Sequence, residues 1–118
     1  MGKQGVDGDV FIERRLSLGS TDVPCRFFRP ESDPSGVDFR CNYAIDWPTH
    51  RLTGHACGVD AVQALILAMQ RAHIDLLSSP EYAAGTLLWL DTRELGFPLP
   101  KNISEADFQG PNLSQVPA

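Results

Sequence analysis

The middle of the chain holds a histidine, a cysteine and an aspartate close together, in the stretch GHACGVDAVQAL around Cys57. Cys57 precedes a predicted helix start, where exposed N–H groups and the helix dipole favour a thiolate. On extended backbone His55 would share its face, and Asp60 or Asp46 could orient the imidazole. Such an arrangement would suit a small enzyme or a thiol sensor. We favour the alternative, a small buried cysteine at a strand-to-helix junction with Asp60 acting only as a cap, because the spacing matches no catalytic cysteine motif.

The same region offers a second chemistry, since imidazole, thiolate and carboxylate groups all bind zinc. Potential ligands within a dozen residues are Asp46, His50, His55 and Cys57. However, H-x4-H-x-C is not the spacing of a structural zinc site, and no second ligand pair follows it. We therefore assign no metal and no cofactor, and keep His50, His55 and Cys57 only as alternative candidates.

Arginines on the predicted strands point to binding rather than catalysis. Six of the ten basic residues lie in the strand region, and several should project from the sheet face opposite the core. The planar fork of arginine matches carboxylates, so this face is a predicted recognition surface for a carboxylate-rich protein. The commoner explanation is a solvated face in which arginines pair across strands with Glu13 and Asp38. The predicted binding residues are Arg15, Arg26, Phe28 and Arg40.

Composition narrows the class of protein. The chain has 118 residues and a formal net charge of −5, which argues against a protein that binds nucleic acid or an anionic membrane. It has three cysteines without C-x-x-C spacing, no visible export signal, and no apolar run near the roughly 18 residues of a membrane span. Glycine-rich phosphate loops and known hydrolase motifs are missing from the sequence. We expect a soluble cytoplasmic protein.

Alternating apolar residues predict an antiparallel sheet. Strands are expected near residues 10–18, 25–29 and 39–46, with 51–56 as a fourth strand or an extended connector. Folding the second and third strands about the turn-rich ESDPSG loop puts Cys25 and Cys41 on the same buried face. In a reducing compartment we expect these cysteines to be small hydrophobes, although a disulfide is conceivable.

A helix is predicted to follow. Asp60 and Gln63 match a capping box, and the helix should end near Ser78, before Pro80. We expect His73 to be a packed residue with one hydrogen bond. The predicted buried stripe has the spacing of one helical face and comprises Val62, Leu65, Ile66, Met69, His73 and Leu76.

These elements predict an α+β domain: a three- to four-stranded antiparallel sheet packed by one long helix, with a short C-terminal strand at residues 86–90 and an extended apolar segment. Residues 1–8 are expected to be flexible, 9–100 to form the single domain, and 101–118 to be a mobile tail. The apolar run 87–89 is a candidate edge for a homo-oligomer.

The order of motifs resembles a bacterial family of small standalone proteins, known only as a domain of unknown function. The resemblance runs from about Glu13 to Pro100, and its most specific segments are GVDAVQAL and LGFPLP. It implies a bacterial or phage source and one compact domain. It brings no catalytic residue, because no function is known for the family.

The sequence therefore favours a non-enzymatic interaction protein, such as an immunity-like protein or a regulatory inhibitor. Its partner is expected to be another protein. An enzyme or thiol sensor that uses Cys57 with His55 remains the alternative.

Overall fold

A computed structural model describes residues 9–36 and 38–108 and shows an α+β architecture. The strands in the described residues are β1 (Val10–Leu18), β2 (Thr21–Phe28), β3 (Glu31–Ser32), β4 (Phe39–Asp46), β5 (Arg51–Gly58) and β6 (Leu87–Leu88). The helices are α1 (Ala61–Leu77), α2 (Pro80–Ala83) and a 3-10 turn, Glu105–Phe108.

All strands pair antiparallel in one sheet, in which β1 lies between β6 and β2, and β2 pairs β4. Along its whole length β4 also pairs β5, and β2 and β3 share its other edge. The described residues thus form six strands, and the predicted count of three to four is wrong. The sequence does not predict β3, which has only two residues and is too short to show alternation, and residues 51–58 form a full strand rather than a connector. Of the predicted C-terminal strand at 86–90, only the two residues of β6 are in strand conformation.

The hydrophobic core lies between α1 and one face of the sheet. The predicted inward faces of β2 and β4 are confirmed, because Cys25 and Phe27 are buried together with Cys41 and Tyr43. Both cysteines are free thiols. Burial raises the pKa of Cys25 to about 12 and that of Cys41 to about 11, so both remain protonated at neutral pH.

The start of α1 follows the predicted capping. The Asp60 side chain accepts a hydrogen bond from the N–H of Gln63 at 2.8 Å. The Gln63 side chain in turn accepts from the N–H of Val59 at 2.8 Å, one residue before the cap. The helix ends at Leu77, with Ser78 as its C-cap, as the sequence predicts.

The predicted buried stripe of α1 is partly wrong. Val62 is 65% exposed and Ile66 is 42% exposed, whereas Ala64, Ala68 and Ala72 are fully buried. These alanines recur every fourth residue, so they form one row along the helix. Their small side chains let the helix backbone approach β4 and β5 closely, which turns Val62 and Ile66 towards solvent.

The chain after α2 covers the part of the core near β1. Leu95 is fully buried, and the Phe97 ring packs edge-on against Phe27 with 5.7 Å between centroids. Arg14 stacks on Trp89 at 3.7 Å from the ring centroid and donates a hydrogen bond to the carbonyl of Leu95 at 3.0 Å. This segment therefore closes the core where α1 does not reach.

His73 connects α1 to this covering segment and is 1% exposed. Its Nδ1 lies 3.1 Å from the Pro98 carbonyl, and its Nε2 is buried without a hydrogen-bond partner, 3.8 Å from a Glu105 carboxylate oxygen. Burial is the main reason that the pKa of His73 is lowered, with the Pro98 hydrogen bond and the Glu105 charge acting the other way. His73 is thus the packed histidine with one hydrogen bond that the sequence predicts.

Some expectations concern the chain ends. Residues 1–8 and the tail from 109 onward lie outside the described residues. Within 101–108, Phe108 packs against the core. Leu87, part of the proposed oligomer edge, is fully buried. Among the described residues, no helix has the length and apolar character needed to cross a bilayer.

Candidate functional site

The sheet face opposite α1 presents polar and charged side chains, and we call it the open face. Because side chains alternate along a strand, the residues between the buried positions of β1, β2, β4 and β5 all project there. Cross-strand register brings Arg26 beside Glu13 on one side and Ala44 on the other, with Thr53 next. The four predicted binding residues, Arg15, Arg26, Phe28 and Arg40, all lie on the open face.

An alternating chain of charges crosses one half of the open face. Arg15 contacts Asp22 at 3.2 Å and Glu13 at 3.0 Å. The other Glu13 oxygen accepts from Arg26 at 2.8 Å, and Arg26 also binds an Asp46 oxygen. The chain of charges ends where the second Asp46 oxygen accepts from Arg51 Nε at 2.6 Å.

This ionic chain balances its own charge, since it contains three carboxylates and three guanidinium groups. The Arg51 hydrogen bond is the main reason that the pKa of Asp46 lies below its usual value, and the charges of Arg51 and Arg26 add to the effect. Cross-strand pairing of Arg26 with Glu13 therefore occurs, as the solvated-face interpretation expects, whereas Arg15 pairs with Glu13 within β1 and with Asp22 across strands. The acids that complete it are Asp22 and Asp46 rather than Asp38.

Next to the ionic chain, the open face contains a cavity of about 420 Å³ between β2, β4 and β5. Ala44 is part of its lining and has the shortest side chain among the lining residues other than Gly54. Phe28, 6% exposed, adds an apolar surface. Asn42 and Thr53 contribute polar groups. We call this feature the open-face cavity.

The basic side chains that line the open-face cavity are Arg40, Arg51 and His55. Its lining, among the described residues, contains no aspartate or glutamate. In a chain of net charge −5, this is a locally cationic surface. An anion that entered would meet donors without first displacing a carboxylate.

Arg40 differs from the other arginines on this face. Its Nη2 lies 3.2 Å from Nδ1 and 3.5 Å from Nε2 of His55, and it pairs with no carboxylate of the described chain. Its Nε is buried and has no hydrogen-bond partner. Burial, followed by the charges of Arg40 and Arg71, lowers the pKa of His55, so this imidazole is neutral at pH 7. Arg40 therefore has no carboxylate in direct contact among the described residues; Asp33 lies near it, and the charge of Arg40, after the hydrogen bonds from Ser35, contributes to lowering the pKa of Asp33.

Cys57 is exposed and lies directly across from Arg40, two residues after His55 on the same face of β5. This contradicts the expectation of a small buried residue. Because β5 continues to Gly58, the Cys57 side chain projects from the sheet face opposite α1. It therefore does not point at the N–H groups of the helix N-terminus, which, from the sequence alone, are expected to favour a thiolate. Neither aspartate proposed to orient His55 is available, since Asp60 caps α1 and Asp46 belongs to the ionic chain.

The potential zinc ligands do not form one group. His50 stacks on Trp47 in the turn between β4 and β5, at the opposite end of β5 from Cys57. Among the described residues, no three histidine, cysteine or acidic side chains come together as a metal ligand set.

Comparison with known proteins gives a family. Residues 12–99 match the family model for a domain of unknown function, DUF6968. The chain belongs to the DUF6968 family. No curated protein and no solved structure matches the chain.

The two most specific segments of the resemblance are structural parts of this DUF6968 domain. GVDAVQAL joins β5 to α1, and a Cβ on Gly58 would lie only 2.6 Å from the backbone nitrogen of Ala64. LGFPLP contains Leu95 and Phe97, which cover the core. These two segments thus stabilise the packing on the core side of the sheet, opposite the open face of the DUF6968 domain.

Proposed function

We propose that this protein is a non-enzymatic binding module that recognises a carboxylate-rich protein through its open face. The observation that carries the proposal is the acid-free cavity around Arg40, set beside a charge-balanced ionic chain. The finer class we propose is an immunity-like protein or a regulatory inhibitor from a bacterium, which acts by covering a partner's surface.

The dimensions of the open face suit a protein partner. Four long strands about 4.8 Å apart, each of eight or nine residues rising about 3.3 Å per residue, give a face of about 19 by 26 Å. That is roughly 500 Å² in projection, a large part of the roughly 800 Å² that one partner buries in a stable complex.

Its side chains also suit recognition. Arginine and aromatic residues in partly desolvated positions dominate the binding energy of protein interfaces. Phe28 and Arg40 provide this combination inside the cavity. Arg15 and Arg26 are already paired with acids, so they contribute mainly to orientation and to long-range attraction.

The test is capture of a partner from the source organism, followed by titration with that partner in purified form. We expect a triple Arg15→Ala, Arg26→Ala, Arg40→Ala variant to bind at least tenfold more weakly, and wild-type binding to weaken as salt is raised. Lys101→Ala, an exposed cation outside the sheet, is the matched control. Unchanged affinity of the triple variant, with its fold intact by circular dichroism, would rule out the open face as the contact surface.

A thiol function is the second candidate, favoured by the alignment of Cys57, His55 and Arg40 on one face. Exposure alone makes Cys57 alkylate faster than buried Cys25 and Cys41, so those two are poor references. The informative measurement is the pH–rate profile of Cys57 alkylation in the wild type and in His55→Ala. An activated thiol gives a midpoint well below the value of about 8.5 for a free cysteine. A midpoint near 8.5 in both proteins eliminates the thiol function.

A further inference from the structure

We infer that Arg40 is the anchor of the open-face cavity and that it receives one side-chain carboxylate of a partner protein, an aspartate or glutamate flanked by an apolar residue. This inference rests on the proposed function and names the chemical group that the face recognises. It also assigns a different role to Arg40 and Phe28 than to Arg15 and Arg26. The sequence predicts all four as binding residues without distinguishing them.

The first support is the distribution of charge. Every carboxylate of the ionic chain is shared between two guanidinium groups or held by one, so Arg26 already has two acidic neighbours. Arg40 has no carboxylate within ion-pair distance among the described residues. Glu31 stands opposite it in register, but no ion pair joins them. An incoming carboxylate therefore gains a charge-assisted bond at Arg40 without breaking an existing one.

The second support is preorganisation. A flexible arginine loses rotamer entropy when it binds, which weakens the interaction. Arg40 is held instead against the neutral imidazole of His55, and its Nε is already shielded from water without an acceptor. A buried N–H donor without an acceptor is costly, so a ligand that compensates for it binds more favourably.

The third support is the apolar surface beside the charge. Phe28 and Ala44 form the apolar walls of the cavity, with Ala44 four residues along β4 from Arg40. A free inorganic anion would leave this surface uncovered. A carboxylate with an apolar group attached fills about 420 Å³ more completely, by covering Phe28 while its oxygens reach Arg40.

The backbone decides between a side-chain carboxylate and a chain terminus. Proteins that capture a C-terminal carboxylate usually do so with free backbone N–H groups arranged as a nest. Here β4 and β5 are paired along their full length, from Phe39 with Gly58 to Asp46 with Arg51. The N–H groups between these strands are occupied by the ladder, and the outward N–H groups of β5 lie in the plane of the sheet at its edge rather than over the cavity, so recognition inside the cavity comes from side chains. A side-chain carboxylate needs only Arg40.

The test uses three short probes and NMR of the full-length protein. The probes are acetyl-Glu-Phe-amide, its uncharged match acetyl-Gln-Phe-amide, and acetyl-Phe with a free terminal carboxylate. The Nε–H resonance of Arg40, assigned by its loss in Arg40→Gln, reports binding to the wild type directly. Backbone amide resonances of the cavity residues Asn42 and Thr53 report binding in the Arg40 variants, which lack this group. We expect a saturable shift with acetyl-Glu-Phe-amide, at least fivefold weaker binding of the glutamine probe, and weaker binding of acetyl-Phe.

Variants make the test specific. We expect Arg40→Gln to abolish the binding of acetyl-Glu-Phe-amide and Arg40→Lys to restore it only in part, since lysine lacks the planar fork. Arg29→Gln changes an exposed arginine that lies after β2 and does not line the cavity, so this variant should bind the probe like the wild type. Equal binding of the glutamate and glutamine probes, or full binding by Arg40→Gln, would overturn the inference. Tighter binding of acetyl-Phe would also overturn it, in favour of a chain terminus.

This test separates the inference from the proposed function. If the triple arginine variant loses the captured partner but the glutamate probe leaves Arg40 unshifted, the open face binds protein and the carboxylate anchor is wrong. If the probe binds at Arg40 but the partner binds the triple variant normally, the cavity accepts carboxylates and the protein-binding proposal is wrong.

Discussion

Sheet and helix approach each other closely at Gly58, and this contact gives a sharp prediction. A Cβ at this position would lie 2.6 Å from the backbone nitrogen of Ala64 and 2.9 Å from the Gln63 carbonyl carbon. Both atoms belong to the first turn of α1, which the Asp60 cap holds in place. Helix backbone cannot rotate aside as a flexible side chain can. Gly58→Ala must therefore move α1 away from β5.

The expected cost can be worked out from two opposing effects. Overpacking costs about 1–3 kcal/mol, and the rigid backbone puts this case in the upper part of that range. Replacing glycine by alanine also restricts the unfolded chain, which returns about 0.4–1 kcal/mol. The net loss is about 1.5–2.5 kcal/mol, which corresponds to a fall in Tm of roughly 6–10 °C for a domain of this size.

Urea denaturation followed by circular dichroism measures this loss. Cys57→Ala is the matched control, since Cys57 is the preceding residue but is exposed on the opposite face. We expect the control to stay within about 0.5 kcal/mol of the wild type. If Gly58→Ala is as stable as the wild type, the close contact between β5 and α1 is refuted, and with it the geometry that directs Cys57 towards the open face.

Three further predictions concern pH and hydrogen bonding. Asp46→Asn should be less stable than the wild type at pH 7, and the difference should vanish as pH falls below about 4, because the Arg51 bond that lowers the pKa of Asp46 acts only on the carboxylate. His73, with its lowered pKa, binds fewer protons when folded, so the free energy of unfolding should fall as pH drops below about 6.5, and His73→Leu should flatten this slope in urea titrations at pH 7 and 5. Tyr43→Phe should lose about 1–2 kcal/mol in the same assay, because the Tyr43 hydroxyl donates to Asp75 and its removal leaves that carboxylate without the bond. Contradictory results would be a constant Asp46→Asn difference down to pH 3, an unchanged slope in His73→Leu, or wild-type stability of Tyr43→Phe.

Much of the local structure could be predicted because short-range patterns determine it. Alternation identified Phe27 and Tyr43 as core, and the Asp60 cap placed the start of α1 to the residue. Which face of α1 is buried was harder to predict. Hydrophobicity predicts that Val62 faces the core, but the row of alanines packs against the sheet instead. Alanine at every fourth position is a sequence signal of close packing between helix and sheet. In this helix it predicts the buried face better than the size of the apolar side chains does.

The candidate site was predictable only in part. Alternation along β1, β2 and β4 placed the four predicted residues on one face. The pairing of Arg26 with Asp46, twenty residues away, depends on strand order, which the sequence leaves open. From the sequence, His55 is a candidate only for catalysis or metal binding. Alternation along β5 also places it on the same face as Thr53, and the pairing of β5 with β4 then brings it close to Arg40. Ala44 lines the open-face cavity, and its short side chain gives no signal of its own.

The covering of the core by residues 89–108 has a consequence for how the protein is made. Leu16 lies near the start of the chain, yet its buried environment is completed by Leu87 and Leu95. On a ribosome, β1 and β2 can pair early, but their apolar side remains uncovered until residues near Phe97 have left the exit tunnel. Folding to the native state therefore waits until this covering segment has been synthesised, and the nascent hairpin must avoid aggregation until then.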